Sequence, residues 1–162
     1  KEFFYWTQHF QNPKNNIGNI FTSATFSNKE KINSGKNGPL NIIQPIFFQN
    51  NICNISNDGF LECYDTTSDK LNFKTDIKPK GINNYQIARG GIAYFDSRLV
   101  SVDAYGHIFL INASNGNKIW EINIGFPILS PPLIYRDYVY FISAKTMSGK
   151  DFVKSSKLRI QR

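Results

Sequence analysis

The chain has little of the side-chain chemistry that most metal and cofactor sites need. Its 162 residues include only two cysteines, two histidines and one methionine. Cys53 and Cys63 stand ten residues apart and form no Cys-x-x-Cys motif, which argues against a zinc ribbon or a thioredoxin-like redox site. His9 and His107 are too few, and too far apart in sequence, for a histidine-based zinc site. We therefore predict no metal, no cofactor and no catalytic residues, and hence a protein that is not an enzyme.

Long apolar runs are missing as well. No stretch approaches the roughly 20 residues that an α-helix needs to cross a bilayer. Lys1-Glu2 opens the chain without the charged and apolar regions of a signal peptide. We expect neither a transmembrane segment nor a signal peptide in this chain.

Acidic residues are in short supply, and the net charge is +7. Residues 145–162 hold six Lys or Arg against the single Asp151, so this end alone carries +5 and residues 1–144 carry only +2. Such a distribution is typical of a solvated or disordered basic tail on a nearly neutral body. We predict a basic tail at 145–162 and expect no nucleic-acid partner.

Aromatic and β-branched residues are plentiful, with 14 Phe and 8 Tyr, and no long stretch has the 3.6-residue period of a helix. This composition favours an all-β fold. Residues 44–77 and 91–124 superimpose at an offset of 47 positions, and 125–144 begins a third copy that loses the pattern after Ala144. The intervening segments are an N-terminal segment with a long connection at 1–43 and a connecting loop at 78–90.

Each complete copy predicts four short strands separated by turns. Gly59, Gly106 and Gly116 fall in turns that require a positive φ. Asp58, Asp65, Asp69 and Asp76 also lie near turns, where side-chain hydrogen bonds explain them better than metal binding does. Four antiparallel strands per copy form one blade, so the sequence predicts a partial β-propeller of about three blades.

The two cysteines lie on neighbouring strands of the first copy. If the hairpin loop consists of the three residues 57–59, Cys53 and Cys63 face each other and a disulfide can form; with a two-residue loop they do not. Buried free thiols are the alternative. The sequence leaves both open.

Residues 111–120 (INASNGNKIW) resemble the repeat of the PQQ-like β-propellers, roughly L-D-A-x-T-G-x-x-x-W. Gly116 takes the turn position and Trp120 the position of the aromatic residue that docks one blade on the next. Residues 65–73 are a decayed second instance, with Phe73 in the docking position, and Trp6 has the docking role in an earlier blade. The resemblance implies the same propeller fold.

Several motifs further resemble the BamB family of outer-membrane-protein assembly lipoproteins, in its α-proteobacterial form. The W-T-Q opening at residues 6–8, the G-G-I-A-Y strand at 90–94 and the I-L-S-P-P segment at 128–132 occur in that family's order, and they correspond to its N-terminal part only. The resemblance implies a non-catalytic scaffold in the periplasm, associated with the outer membrane. In that family an Arg-Gly loop contacts a BamA-like partner, and the matching residues here are Ile87, Ala88, Arg89 and Gly90.

Two alternatives stay open. The chain is then either a fragment of a PQQ-dependent dehydrogenase or a stand-alone propeller-like module that copies of itself complete by homo-oligomerisation. Unpaired blade edges are costly to leave exposed, which keeps self-association among the hypotheses.

Overall fold

The computed structural model of the protein describes residues 43–79, 81, 90–147 and 150–160. Within these ranges the backbone forms eleven β-strands and no helix, so no helix there is long and apolar enough to cross a membrane. The strands are β1 (Ile46–Phe48), β2 (Asn51–Ile55), β3 (Phe60–Asp65), β4 (Lys70–Asp76), β5 (Gly90–Phe95), β6 (Arg98–Asp103), β7 (His107–Asn112), β8 (Lys118–Asn123), β9 (Leu133–Tyr135), β10 (Tyr138–Met147) and β11 (Lys150–Arg159).

The strands form three antiparallel sheets, each a meander. Blade 1 has the order β1-β2-β3-β4, blade 2 the order β5-β6-β7-β8, and blade 3 the order β11-β10-β9. The register slips at equivalent places in the first two blades, between Cys63 and Tyr64 in blade 1 and between Leu110 and Ile111 in blade 2. The predicted all-β fold class, a partial propeller of about three blades, is confirmed.

Blade 3 corrects the prediction of a solvated or disordered tail at 145–162. Residues 150–159 form β11, which pairs with β10 over ten residues from Tyr138↔Arg159 to Met147↔Lys150. Four of the six cations that suggested a tail lie on β11, which is an edge strand among the described residues: Lys150, Lys154, Lys157 and Arg159. A charged side chain on an edge strand can reach water without breaking the ladder. Lys154 and Lys157 are both exposed there.

The repeat also continues past Ala144, where the sequence pattern fails. One backbone hydrogen bond recurs in all three blades: Thr66 N to Asn50 O at 2.8 Å, Ala113 N to Ser97 O at 3.0 Å, and Ile160 N to Asp137 O at 2.8 Å. The donors are 47 residues apart throughout, whereas the acceptors Ser97 and Asp137 are only 40 apart. The change of offset is taken up in the β10–β11 hairpin, whose strands have ten residues where β6 and β7 have six.

Two hydrophobic cores lie between the three blades, one between blades 1 and 2 and the other between blades 2 and 3. On β7, Phe109 and Ile111 pack in one core with blade 1, while Ile108 and Leu110 pack in the other with blade 3. Because alternate residues of a strand face opposite sides of its sheet, β7 is apolar on both faces. The first core also contains Phe48, whose ring stacks on that of Tyr94 with centroids 4.0 Å apart.

Candidate functional site

The hairpin between β2 and β3 contains the only two cysteines of the chain. Ser56 N donates to Phe60 O at 2.8 Å, so the loop consists of the three residues 57–59, with Gly59 at φ +80°. Cys53 lies directly opposite Cys63, and their Cα atoms are 4.1 Å apart. The two residues are joined by a disulfide and are fully buried in the core between blades 1 and 2.

The contact between Phe73 and Gly116 joins blade 1 to blade 2. Phe73 is buried, and a Cβ added at Gly116 would lie 2.7 Å from Phe73 Cγ and 2.7 Å from Thr75 Oγ1. The Thr75 hydroxyl donates to the Gly116 carbonyl at 2.6 Å. Gly116 has φ +75°, so the backbone conformation and the close approach both require glycine. The structure thus places the predicted docking residue of one copy on the predicted turn glycine of the next.

The turns between third and fourth strands are closed by a side-chain oxygen. Asp65 Oδ1 accepts from Thr67 N and Ser68 N at 2.8 Å each, and Asn112 Oδ1 accepts from Ser114 N at 2.8 Å. The two backbone donors at Ser68 and Thr67 lower the pKa of Asp65 below its ordinary value of 3.8. Arg159 occupies the corresponding position of blade 3 and has no acceptor to offer.

Asn112 in blade 2 suggests a substitution that tests how Asp65 stabilises its turn. We expect Asp65→Asn to unfold at nearly the wild-type temperature at pH 7, because Asn112 performs the same task, and Asp65→Ala to unfold at a lower temperature. The lowered pKa means that the carboxylate's contribution is present above about pH 3.8 and is lost as the pH falls through the folded-state pKa. The wild type should therefore lose stability between pH 5 and about pH 2 more steeply than Asp65→Asn. Thermal unfolding of the three proteins across this range measures the difference, and an asparagine variant as unstable as the alanine variant would contradict the assignment.

An ion pair lies on the face of blade 1 opposite to the disulfide. Glu62 is 3% exposed, and its Oε1 lies 2.7 Å from Lys74 Nζ at the directly opposite position of β4. This hydrogen bond to Glu62 raises the pKa of Lys74 above 10.5. Burial, followed by the Glu62 charge, raises the pKa of Tyr64 above 10.0. Lys74 Nζ also lies 4.1 Å from the centre of the Phe60 ring, so the ammonium group is held between a carboxylate and an aromatic face.

His107 lies at the start of β7, and Asn123 and Asp103 lie beside its ring. Asn123 Nδ2 is 2.8 Å from His107 Nε2, and Asp103 Oδ2 is 3.3 Å from His107 Nδ1. The other Asp103 oxygen accepts from the backbone N–H groups of Tyr105 and His107. Asp103 therefore closes the β6–β7 hairpin, around Gly106 at φ +88°, as the Ser56 hydroxyl does in blade 1.

An open groove lies beside Trp120, the predicted docking residue of blade 2. Trp120 is half-buried and packs against the core between blades 2 and 3. Beside it lies an open groove of about 480 Å³, the Trp120 groove, lined by Arg98, Leu110, Ile119, Trp120, Ile122, Leu158 and Arg159. In the described part of the chain no glycine turn covers Trp120 as Gly116 covers Phe73.

The predicted partner-binding motif is described only at its end. Gly90 is the first residue of β5 and has φ +130°, and a Cβ there would collide with the Val102 carbonyl oxygen. Ile87, Ala88 and Arg89 lie outside the described residues, as do Trp6 and His9. Among the residues that the structure does describe, no three His, Cys, Asp or Glu side chains come close enough together to hold a metal ion.

Sequence reasoning missed the Trp120 groove because it took 145–162 as a tail. One signal was available: Leu158-Arg159-Ile160 lies 47 residues after Ile111-Asn112-Ala113, with apolar residues in both flanking positions. The Glu62–Lys74 pair was missed as well. The strand register that joins them follows from the hairpin turns of blade 1.

No protein-family model matches the chain, and no curated protein is similar to it at the level of sequence. Solved structures do resemble it. A europium-containing methanol dehydrogenase matches with a TM-score of 0.72 and 14% identity, over 96% of this chain and 30% of that one. A quinohemoprotein alcohol dehydrogenase from Pseudomonas putida HK5 matches with a TM-score of 0.65 and 13% identity, over 86% of this chain and 23% of that one.

BamB from Moraxella catarrhalis also matches, with a TM-score of 0.46 and 12% identity over 59% of this chain and 27% of that one. A score this low adds nothing to the other two matches. The chain spans less than a third of each of these three structures. The fold is that of the PQQ-like β-propellers.

The comparisons correct one prediction. The sequence led us to predict a protein that is not an enzyme, whereas two of the solved structures that resemble it, over 96% and 86% of this chain, are a methanol dehydrogenase and an alcohol dehydrogenase. The reasoning was wrong because it looked in this chain for a whole cofactor site. Since the chain corresponds to 30% or less of those dehydrogenases, the residues that it lacks do not decide whether the fold belongs to an enzyme.

Proposed function

We propose that the chain is a propeller module that binds a protein partner in the manner of the BamB family, with a BamA-like outer-membrane assembly protein as the partner. Support comes from the ordered motifs of that family in the sequence, and above all from the Ile87-Ala88-Arg89-Gly90 motif. Gly90 begins β5, the strand of blade 2 that stacks on blade 1 through Tyr94 and Phe48. The motif is therefore joined directly to a rigid strand, and rigid strands are what position binding loops in such scaffolds.

The disulfide supports the compartment that this function requires. Disulfides persist in oxidising compartments such as the bacterial periplasm and are rare in the cytosol. Cys53 and Cys63 are joined in blade 1. A periplasmic, outer-membrane-associated location is part of the proposal.

Binding to the periplasmic domains of a BamA-like protein tests the proposal. We expect the wild type to be retained by the immobilised domains and Arg89→Glu to bind at least tenfold more weakly, because a charge reversal at an interface removes an attraction and adds a repulsion. Lys70→Glu is the matched control, since Lys70 is an exposed cation at the start of β4, and it should bind as the wild type does. No retention of the wild type, or equal retention of both variants, would contradict the proposal.

The structural matches favour a second candidate function, that of a segment of a quinone-dependent alcohol or methanol dehydrogenase. Such an enzyme holds a metal ion with clustered carboxylates. The described residues do not fit that requirement, because no three acidic, histidine or cysteine side chains converge within them. Thermal unfolding with pyrroloquinoline quinone and calcium or europium separates the two candidates, since only the second predicts a raised unfolding temperature.

A further inference from the structure

We infer that the outer edge of β11 and the Trp120 groove form a docking site for an acidic segment in extended conformation, which adds a fourth strand to blade 3. The inference does not rest on the function proposed above.

The edge is unpaired in the part of the chain that the structure describes. In blades 1 and 2 the third strand lies between two neighbours, but β11, the third strand of blade 3, pairs only with β10. Among the described residues no strand pairs with the outer edge of β11, so its outward N–H and C=O groups can hydrogen-bond with an added strand, which is how extended peptides bind exposed sheet edges. Val153, on this strand, is 67% exposed.

The contact between blades 1 and 2 shows how a docking aromatic residue of this chain is covered by the next blade. There, Phe73 of one blade packs on Gly116, in the turn that leads from the third to the fourth strand of the next blade. Trp120 is the residue equivalent to Phe73, and Arg159 of blade 3 is equivalent to Asn112, which begins that turn in blade 2. The Trp120 groove therefore lies where a small residue preceding a fourth strand would sit.

Charge determines the kind of segment. From 153 to 160 the strand has Lys154, Lys157 and Arg159, all exposed, and no acidic residue. Leu158 and Lys154 lie on the face of β11 that is directed toward blade 2. Lys157 lies on the opposite face, where its Nζ is 5.0 Å from the centre of the Tyr138 ring. A strand with acidic side chains on both faces is complementary to this edge.

Self-pairing is the competing occupant, and the same charges disfavour it. Two β11 edges placed side by side would bring lysines of both copies together, and like charges directly opposite each other destabilise a sheet. Lysines on edge strands commonly prevent self-association in this way. They repel another copy of β11 while still attracting an acidic strand.

The probe for this site comes from the chain itself. It is a fluorescently labelled peptide with the sequence of residues 115–123 in which glutamate replaces Lys118, giving NGNEIWEIN. The control peptide has lysine in place of Glu121 instead, giving NGNKIWKIN. We expect the full chain to bind the acidic peptide at least tenfold more tightly than the basic one, measured by fluorescence anisotropy at low salt.

Variants and hydrogen exchange locate the binding. Lys154→Glu and Lys157→Glu should each weaken binding of the acidic peptide about fivefold, while Lys70→Glu, a cation of blade 1, should leave it unchanged. Amides of β11 should gain protection from exchange when the acidic peptide is bound. Equal binding of the two peptides, no binding of either, or no protection in β11 would overturn the inference. A doubled mass without peptide, abolished by Lys154→Glu, would assign the edge to a second copy and would also overturn it.

Discussion

Gly116→Ala should be among the most destabilising single substitutions in this protein, lowering the free energy of unfolding by about 3 kcal/mol. Two costs combine. A non-glycine residue held at φ +75° costs about 1 kcal/mol, and forcing a methyl group into a packed contact costs typically 1–3 kcal/mol. The methyl group would meet the Phe73 ring and the Thr75 hydroxyl, which are both buried and cannot both move aside without opening the core between blades 1 and 2.

Gly125 provides a matched control that measures only the cost of a non-glycine residue at positive φ. Gly125 has φ +73°, but nothing lies within 4 Å of an added Cβ, so Gly125→Ala should cost only about 1 kcal/mol. Urea unfolding of both variants measures the difference. Adding Phe73→Leu to Gly116→Ala should recover part of the loss, because the shorter side chain leaves room for the methyl group. Equal losses at Gly116 and Gly125, or no recovery in the double variant, would show that the blade contact contributes little.

The sequence singled out both residues of this contact, although it did not predict that they touch each other. The two residues belong to a short motif in which each residue type has a local physical reason: Gly116 needs a positive φ, and Phe73 is a large aromatic residue just past the corresponding turn of its own copy. Local requirements of this kind remain visible at low sequence identity. The strands of blades 1 and 2 follow from the same motif, because the turns fix where each strand begins and ends.

Blade 3 could not be predicted in the same way because its information is not local. The offset between copies is already 40 residues at Asp137, just before β10, and it returns to 47 residues within the β10–β11 hairpin. A comparison at a fixed offset of 40 therefore fails inside this hairpin, and the offset of 47 applies again only from Leu158 to Ile160. Net charge then misled the interpretation. A run rich in lysine is compatible with both a solvated tail and an edge strand, and only the pairing of β11 with β10 distinguishes them.

The sequence also could not decide whether Cys53 and Cys63 form a disulfide. Asn57-Asp58-Gly59 is compatible with a two-residue or a three-residue loop, and this one-residue difference decides whether Cys63 faces Cys53. The Ser56 backbone N–H fixes the longer loop by donating to Phe60 O, and the Ser56 hydroxyl donates to Asp58. The hydrogen bond from Ser56 is the main cause that lowers the pKa of Asp58 below 3.8. The residue types alone do not specify this backbone bond or the position of the Ser56 side chain.

Loss of the Cys53–Cys63 disulfide should lower the free energy of unfolding by about 3 kcal/mol, since closing a loop of about ten residues removes roughly that much chain entropy from the unfolded state. Both residues are fully buried and pack with Leu61 and Phe109 between blades 1 and 2, so the loss should loosen the same interface that Gly116→Ala disturbs. Urea unfolding of the wild type with and without dithiothreitol measures the effect.

The double variant Cys53→Ala/Cys63→Ala separates the covalent bond from the packing around it. It should be at least as unstable as the reduced wild type, and dithiothreitol should not change its unfolding midpoint. Alkylation in denaturant before reduction should find no free thiol in wild-type protein that was folded under oxidising conditions. Two alkylated cysteines, or a wild-type midpoint that does not respond to dithiothreitol, would contradict the stabilising bond. Because a protein that loses this much stability on reduction folds best where disulfides persist, the same measurement bears on the proposed periplasmic location.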